Sequence, residues 1–191
     1  MLYLSVILTA NLCIALLASL GTESLPICFL HTGIATAEVI ALDGLFAFLL
    51  RRLPERWFSP ESERFMVSKK EKNFWRKLQI SKWEKKIPEL GCFTGFHKNR
   101  LEKRDDESYL RRFILETNYG ALIHLENALF GILIWLFPWN GGWKICLPVA
   151  AVNAFLSFLP FAVLRNNTAP LQLLYRLAKK KTRDNPPSTT F

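Results

Sequence analysis

The chain is poor in the residue types and spacings that mark most soluble catalytic and redox centres. It has three histidines and four cysteines among 191 residues. Cys13, Cys28, Cys92 and Cys146 show no C-x-x-C spacing and no paired histidine, so neither a metal nor a redox site is expected. Cys28 and Cys146 fall near one predicted membrane surface, where a disulfide is feasible; otherwise all four read as membrane-core or loop thiols. There is no G-x-S-x-G, no P-loop and no Rossmann glycine pattern, so no serine nucleophile elbow and no cofactor is expected. The opening stretch lacks the basic start and the A-x-A exit of a cleavable signal peptide and reads as a retained helix. No internal repeat is visible. Charge is missing altogether from Leu2 to Leu20.

Against these absences stands an apolar content of 50%, with 13% aromatic residues. The apolar residues are gathered in four blocks and the charges lie elsewhere, which is the distribution of an integral membrane protein. The expected fold class is all-α: a polytopic membrane protein, one integral domain over 1–191, with four transmembrane helices at 2–20, 25–50, 113–137 and 145–164. Residues 51–112 are then a cytoplasmic loop carrying a basic helical platform between helices 2 and 3, and 165–191 a cytoplasmic tail.

The net charge of +9 is unevenly placed. Of 25 Lys and Arg, 18 lie from Arg51 to Arg112, six lie from Arg165 onward, and only Lys144 lies elsewhere. The positive-inside rule then puts both termini and the long loop in the cytoplasm of a multi-pass cell-membrane protein. This placement speaks against nucleic acid as a partner and for anionic membrane lipids or a phosphate-bearing substrate.

Within the loop, Pro54, the Ser59-Pro60 pair, Gly91 and Gly95 punctuate the chain. Lys69 to Ile87 mixes dense basic content with Phe74, Trp75, Leu78, Trp83 and Ile87, which suits one helix lying in the headgroup layer. Asp105-Asp106-Glu107-Ser108 reads as a helix start. Pro138 to Trp143 reads as a tight outer turn with interfacial tryptophans, and Pro148 and Pro160 should distort the fourth span. The Asn166-Asn167-Thr168 sequon has no meaning in a cytoplasmic tail, and Asn185 to Phe191 has a disordered composition. In the second span, His31 and Glu38 share one face and Asp43 aligns with Thr36 on another, with pairing to a neighbouring helix as the simple reading of Glu38.

The third span is where chemistry is concentrated. Glu116, Thr117, Gly120, His124 and Asn127 fall within about 100° of one another on a helix wheel, with leucines and isoleucines opposite. A charged side chain at mid-bilayer costs roughly 2.5–3.5 kcal/mol, so paired ionisable groups on one face need a reason. Interhelical hydrogen bonding is one such reason, above all for Thr117 and Asn127. A reaction site is the other: histidine is the natural general base near neutral pH, and Glu116 can orient it or hold a substrate hydroxyl. Arg165 and Asn167, after the fourth span, can bind an oxyanion or phosphate.

Several blocks carry a family resemblance. They are Arg52-Leu-Pro-Glu-Arg-Trp-Phe58, Lys72-Asn-Phe-Trp-Arg-Lys77 followed by Lys82-Trp83, Lys85-Lys86 and Pro88, Phe113-Ile-Leu-Glu-Thr117 with Leu122-Ile-His124, and Asn153 with Pro160, Arg165 and Asn167. Over about residues 51–181 these resemble the glycosyl-4,4'-diaponeurosporenoate acyltransferases, small membrane enzymes that esterify a sugar hydroxyl in staphyloxanthin-type carotenoid synthesis. Leu2 to Leu20 and the second span lie outside the resemblance, and Asn118-Tyr-Gly-Ala121 stands where that family tends to be charged. The resemblance implies an acyltransferase with a lipid, glycolipid or carotenoid-glycoside acceptor and an acyl donor. His124 and Glu116 are its expected catalytic pair, and Arg165, Asn167, Asn127, Thr117, Lys72, Arg76 and Lys77 its substrate-binding residues. Another small membrane transferase, or a non-enzymatic four-helix scaffold or lipid-binding protein, are the alternatives.

Overall fold

The structure, a computed structural model, describes residues 2–21, 24–87 and 101–184. Cys92, Gly91, Gly95 and the tail from Asn185 lie outside the described residues. The described residues hold helices and no strands: α1 (Leu2–Ser19), α2 (Leu25–Leu50), α3 (Lys69–Lys77), α4 (Ile80–Trp83), α5 (Glu107–Phe130) and α6 (Trp143–Asp184), joined by turns, irregular stretches and short 3₁₀ helices. Three stretches, Leu25–Leu50, Glu107–Leu136 and Trp143–Asp184, are long and apolar enough to cross a membrane, whereas α1 is apolar but shorter.

Local chemistry explains most boundaries. Ser24 precedes α2 and Pro26 occupies its first turn, where a missing N–H costs nothing. Asp106 starts α5, its Oδ1 accepting from the Tyr109 N–H at 3.0 Å and from the Ser108 hydroxyl at 2.7 Å. Three expectations need correction. The third span is not α-helical to Phe137; it tightens into a 3₁₀ helix over Gly131–Leu136. Lys69 to Ile87 is not one helix, because Gln79 adopts the left-handed conformation (φ 51°) and separates α3 from α4. The helix that carries the fourth span does not stop at Leu164, since α6 runs for 42 residues and continues through Pro148 and Pro160. In an apolar setting, opening the helix would strand several backbone groups, whereas each proline removes one donor.

The chain divides into two compact units. The first comprises Met1–Arg52 and Leu122–Phe161. Its core packs Ile14, Ala35, Val39, Ile134, Ile145, Cys146, Val149 and Ala150. The alanines at this core allow close helix approach, the usual device of membrane bundles. Polar side chains tie the helices: the Thr36 hydroxyl donates to Asn11 Oδ1 at 2.8 Å. Glu38, in the middle of α2, accepts from the Trp139 indole and from Asn140 Nδ2, clamping the turn before α6. Cys28 and Cys146 are free thiols.

The second unit comprises Leu53–Ala121 and Ala162–Phe191. Its core is Leu110, Phe113 and Ile114 against Leu171, Tyr175 and Ala178. Asn118 and Tyr119 fix the segment that follows α2. Asn118 Nδ2 donates to the Phe58 carbonyl at 2.8 Å, the Tyr119 hydroxyl donates to the Leu53 carbonyl at 3.0 Å, and the Phe58 and Tyr119 rings stack at 3.8 Å.

The clamped turn of the first unit generates a specific prediction. Gly141 has φ 78°, and a Cβ there would meet Ile145 Cδ1 at 2.6 Å and the His31 Cβ at 2.9 Å. Gly142 has φ 73° but nothing within 4 Å. Gly142→Ala should cost about 1–2 kcal/mol from the left-handed backbone alone. Gly141→Ala should add roughly 1–3 kcal/mol of overpacking. Thermal unfolding of the two variants in detergent checks the order; equal midpoints would contradict it.

Candidate functional site

The second unit is organised by a stripe along α6. Arg165, Gln172, Tyr175 and Lys179 follow one another at spacings of seven, three and four, which keeps them on one helix face. All four reach into residues 61–71. Arg165 Nε and Nη2 donate to the two oxygens of Glu71 at 2.8 and 2.9 Å, and Nη1 donates to the Phe65 carbonyl at 3.1 Å. Gln172 Nε2 donates to the same carbonyl at 3.4 Å. Glu61 accepts from the Tyr175 hydroxyl and, at 3.1 Å, from Lys179 Nζ.

Glu71 is positioned by its own helix. Ser68 caps α3, accepting from the Glu71 N–H at 3.1 Å, and the carboxylate also accepts from the Trp75 indole at 3.0 Å. Burial pushes the Glu71 carboxyl up, but the bonds from Arg165 and Trp75 together outweigh it and hold the group below its ordinary value of 4.5. Arg165 is only 9% exposed, so this partner offsets the cost of burying its charge. The pairing is bidentate, the geometry in which arginine and carboxylate interact most strongly.

The sequence-predicted site residues fall as follows. Glu116, Thr117, Arg165, Asn167 and the basic residues Lys72, Arg76 and Lys77 belong to the second unit; His124 and Asn127 belong to the first. Glu116, His124 and Asn167 are half-buried, and Lys72, Arg76 and Lys77 are exposed. Arg165 and the helix carrying the three basic residues are joined through Glu71. Thr117 is buried and its hydroxyl donates to the Phe113 carbonyl at 2.8 Å, so it serves its own helix. Asn127 is buried; its backbone carbonyl accepts from Asn153 Nδ2 at 3.0 Å, while its side-chain oxygen has no partner among the described residues. Asn153 also reaches Asp43 at 3.5 Å. Among the described residues, no three His, Cys, Asp or Glu side chains gather to hold a metal ion.

A family model described as glycosyl-4,4'-diaponeurosporenoate acyltransferase matches residues 54–177. The chain belongs to that family. Its enzyme class is accordingly acyltransferase. The matched region takes in α3 to α5 and α6 as far as Leu177, and so includes Glu71, Glu116, His124 and Arg165, while α1 and α2 lie before it. No curated protein and no solved structure matches the chain.

Sequence reasoning named Arg165 but missed Glu71, Glu61, Asn118 and Tyr119. Glu71 had a signal: it is one of two acids in the run from Lys69 to Ile87, and it stands three residues after Ser68, the capping-box spacing. The pair gives a pH prediction. A carboxyl held below its ordinary value stabilises the fold fully above about pH 4.5, and the contribution is lost as pH falls through the lowered value. Glu71→Gln should lower the thermal midpoint at pH 7 and flatten its decline on acidification, measured by unfolding in detergent between pH 7 and pH 3. An unchanged midpoint with an unchanged acid slope would show the pair to be unimportant.

Proposed function

We propose that the chain is a membrane acyltransferase that esterifies a hydroxyl of a glycolipid or carotenoid glycoside with a fatty acyl chain. The observation that carries this reading is the family match over 54–177. The acceptor hydroxyl oxygen attacks the acyl carbonyl, the donor's leaving group departs, and the hydroxyl proton must go to a base. His124 is the residue for that step, and Glu116, on the same helix, holds the acceptor or orients the base. Arg165 has five N–H donors, three of them engaged by Glu71 and the Phe65 carbonyl, which leaves two for an oxyanion or a donor phosphate. Asn167 supplies an amide nearby in sequence.

In this reading the chain is a multi-pass cell-membrane protein with four spans, α1 included, and both termini in the cytoplasm. Residues 51–112 form the cytoplasmic platform, where Lys72, Arg76 and Lys77 draw in an acyl donor bearing phosphates. The partners are membrane lipids, the lipid-borne acceptor and the acyl donor.

Mass spectrometry of lipid extracts from cells with and without the chain tests the reading. An added fatty-acyl mass on a glycosylated lipid is expected only with the chain. His124→Ala should lower its formation about 10²- to 10⁴-fold with membrane insertion unchanged. Full product formation by an inserted His124→Ala protein would remove His124 from the chemistry; no acylated product from the intact chain would remove the function.

A further inference from the structure

The platform carries an exposed apolar edge ringed by bases, of which the acyl-transfer reading uses only Lys72, Arg76 and Lys77. From Lys69 to Ile87 there are eight basic and two acidic residues. Both acids are withdrawn: Glu71 is bound to Arg165, and Glu84 is half-buried. Lys69, Lys70, Lys72, Arg76 and Lys77 on α3, and Lys82 and Lys85 beyond it, are exposed. The bases surround an apolar edge. Phe74 and Leu78 are one turn apart and 50% and 41% exposed. Lys70 lies one turn before Phe74 and Lys77 lies three residues after it, so both ammonium groups flank this edge.

The structure also sorts the aromatics. Trp75 is buried, its indole donating to Glu71. The Trp83 indole donates to the Leu78 carbonyl at 3.1 Å, satisfying an end group of α3. The tryptophans therefore hold the platform together, and Phe74 with Leu78 is what it offers outward. An exposed apolar edge ringed by lysines, with its own carboxylates turned inward, matches a layer of anionic headgroups over acyl chains. The lysine stems lie along apolar surface while their ammonium groups stay with phosphates.

We propose that α3 docks on the anionic phospholipid surface of the membrane that holds the chain, with Phe74 and Leu78 seated among the headgroups and Lys69, Lys70, Lys72, Arg76 and Lys77 on their phosphates. This rests on the cytoplasmic placement of the platform given above and adds the lipid class that the platform selects. Docking on acidic lipid is electrostatic and apolar together, so it weakens in salt and without the phenyl ring.

The test is hydrogen exchange of the backbone amides of residues 69–83 in the full chain, held in nanodiscs of phosphatidylcholine alone or with one-third phosphatidylglycerol. Exchange should slow at least ~10-fold in the anionic discs at low salt and lose most of that protection at high salt. Replacing the five α3 bases by Gln should abolish the difference. Phe74→Ser, which keeps every charge, should reduce it, and so checks the idea independently of how the Gln variant folds. Equal exchange in the two lipids overturns the proposal, as does full protection by inorganic phosphate in phosphatidylcholine discs. Acyl transfer measured in the same discs separates the two readings: transfer without lipid-dependent protection refutes the docking alone, and protection without transfer refutes the function alone.

Discussion

Two parallel hydrogen bonds between the Arg165 guanidinium and the Glu71 carboxylate hold the second unit in its form. An arginine that is nearly buried is stable only beside a partner, so wherever α6 places Arg165, the chain must bring a carboxylate and a carbonyl to it. That requirement accounts for much of the local structure. Ser68 caps α3 so that Glu71 lies in the first turn, Trp75 steadies the carboxylate from one turn on, and the Phe65 carbonyl takes a third N–H of the guanidinium. It also accounts for the length of α6. A helix that stopped at Leu164, as hydropathy alone suggests, would present none of Arg165, Gln172, Tyr175 or Lys179 in register.

The first unit is tied by the same logic. Where α5 tightens to 3₁₀ at Gly131, carbonyls near the switch lose their usual donors, and water is scarce among membrane-spanning helices. Asn153 takes the Asn127 carbonyl and also meets Asp43. Gly131 makes room for this, since a Cβ there would stand 2.8 Å from Asn153 Nδ2. Glu38 does the corresponding work at the Trp139–Asn140 turn. Polar residues that look excessive for apolar helices are in large part the groups that support irregular backbone between them.

The sequence was most legible where one physical signal dominated. Long, largely apolar runs announced α2 and the apolar parts of α5 and α6, and the acidic cluster at Asp105 to Ser108 marked the start of α5. It was least legible where tertiary pairing overrode local preference. Hydropathy ended the fourth span at Leu164 and gave Pro148 and Pro160 a distorting role, yet the anchoring stripe and the cost of opening the helix keep α6 continuous to Asp184. The block from Lys69 to Ile87 looked like one amphipathic helix because its composition is uniform, and nothing local signals the left-handed Gln79. Site residues divided the same way: Arg165 stood out by type and place, but its partner Glu71 is 94 residues away in sequence. Thr117, chosen for its position on the polar face, proves to bond its own helix.

A double-mutant cycle on Arg165→Met and Glu71→Met, read by thermal unfolding in detergent, tests the organising role of the pair most directly. Each single change leaves a charge or acceptor stranded and should destabilise the chain by about 3–5 kcal/mol. The double variant should be little worse than either single, giving a coupling of at least about 1.5 kcal/mol. Single changes that add to within about 0.5 kcal/mol in the double variant would contradict it, and the second unit would have to be explained without the pair.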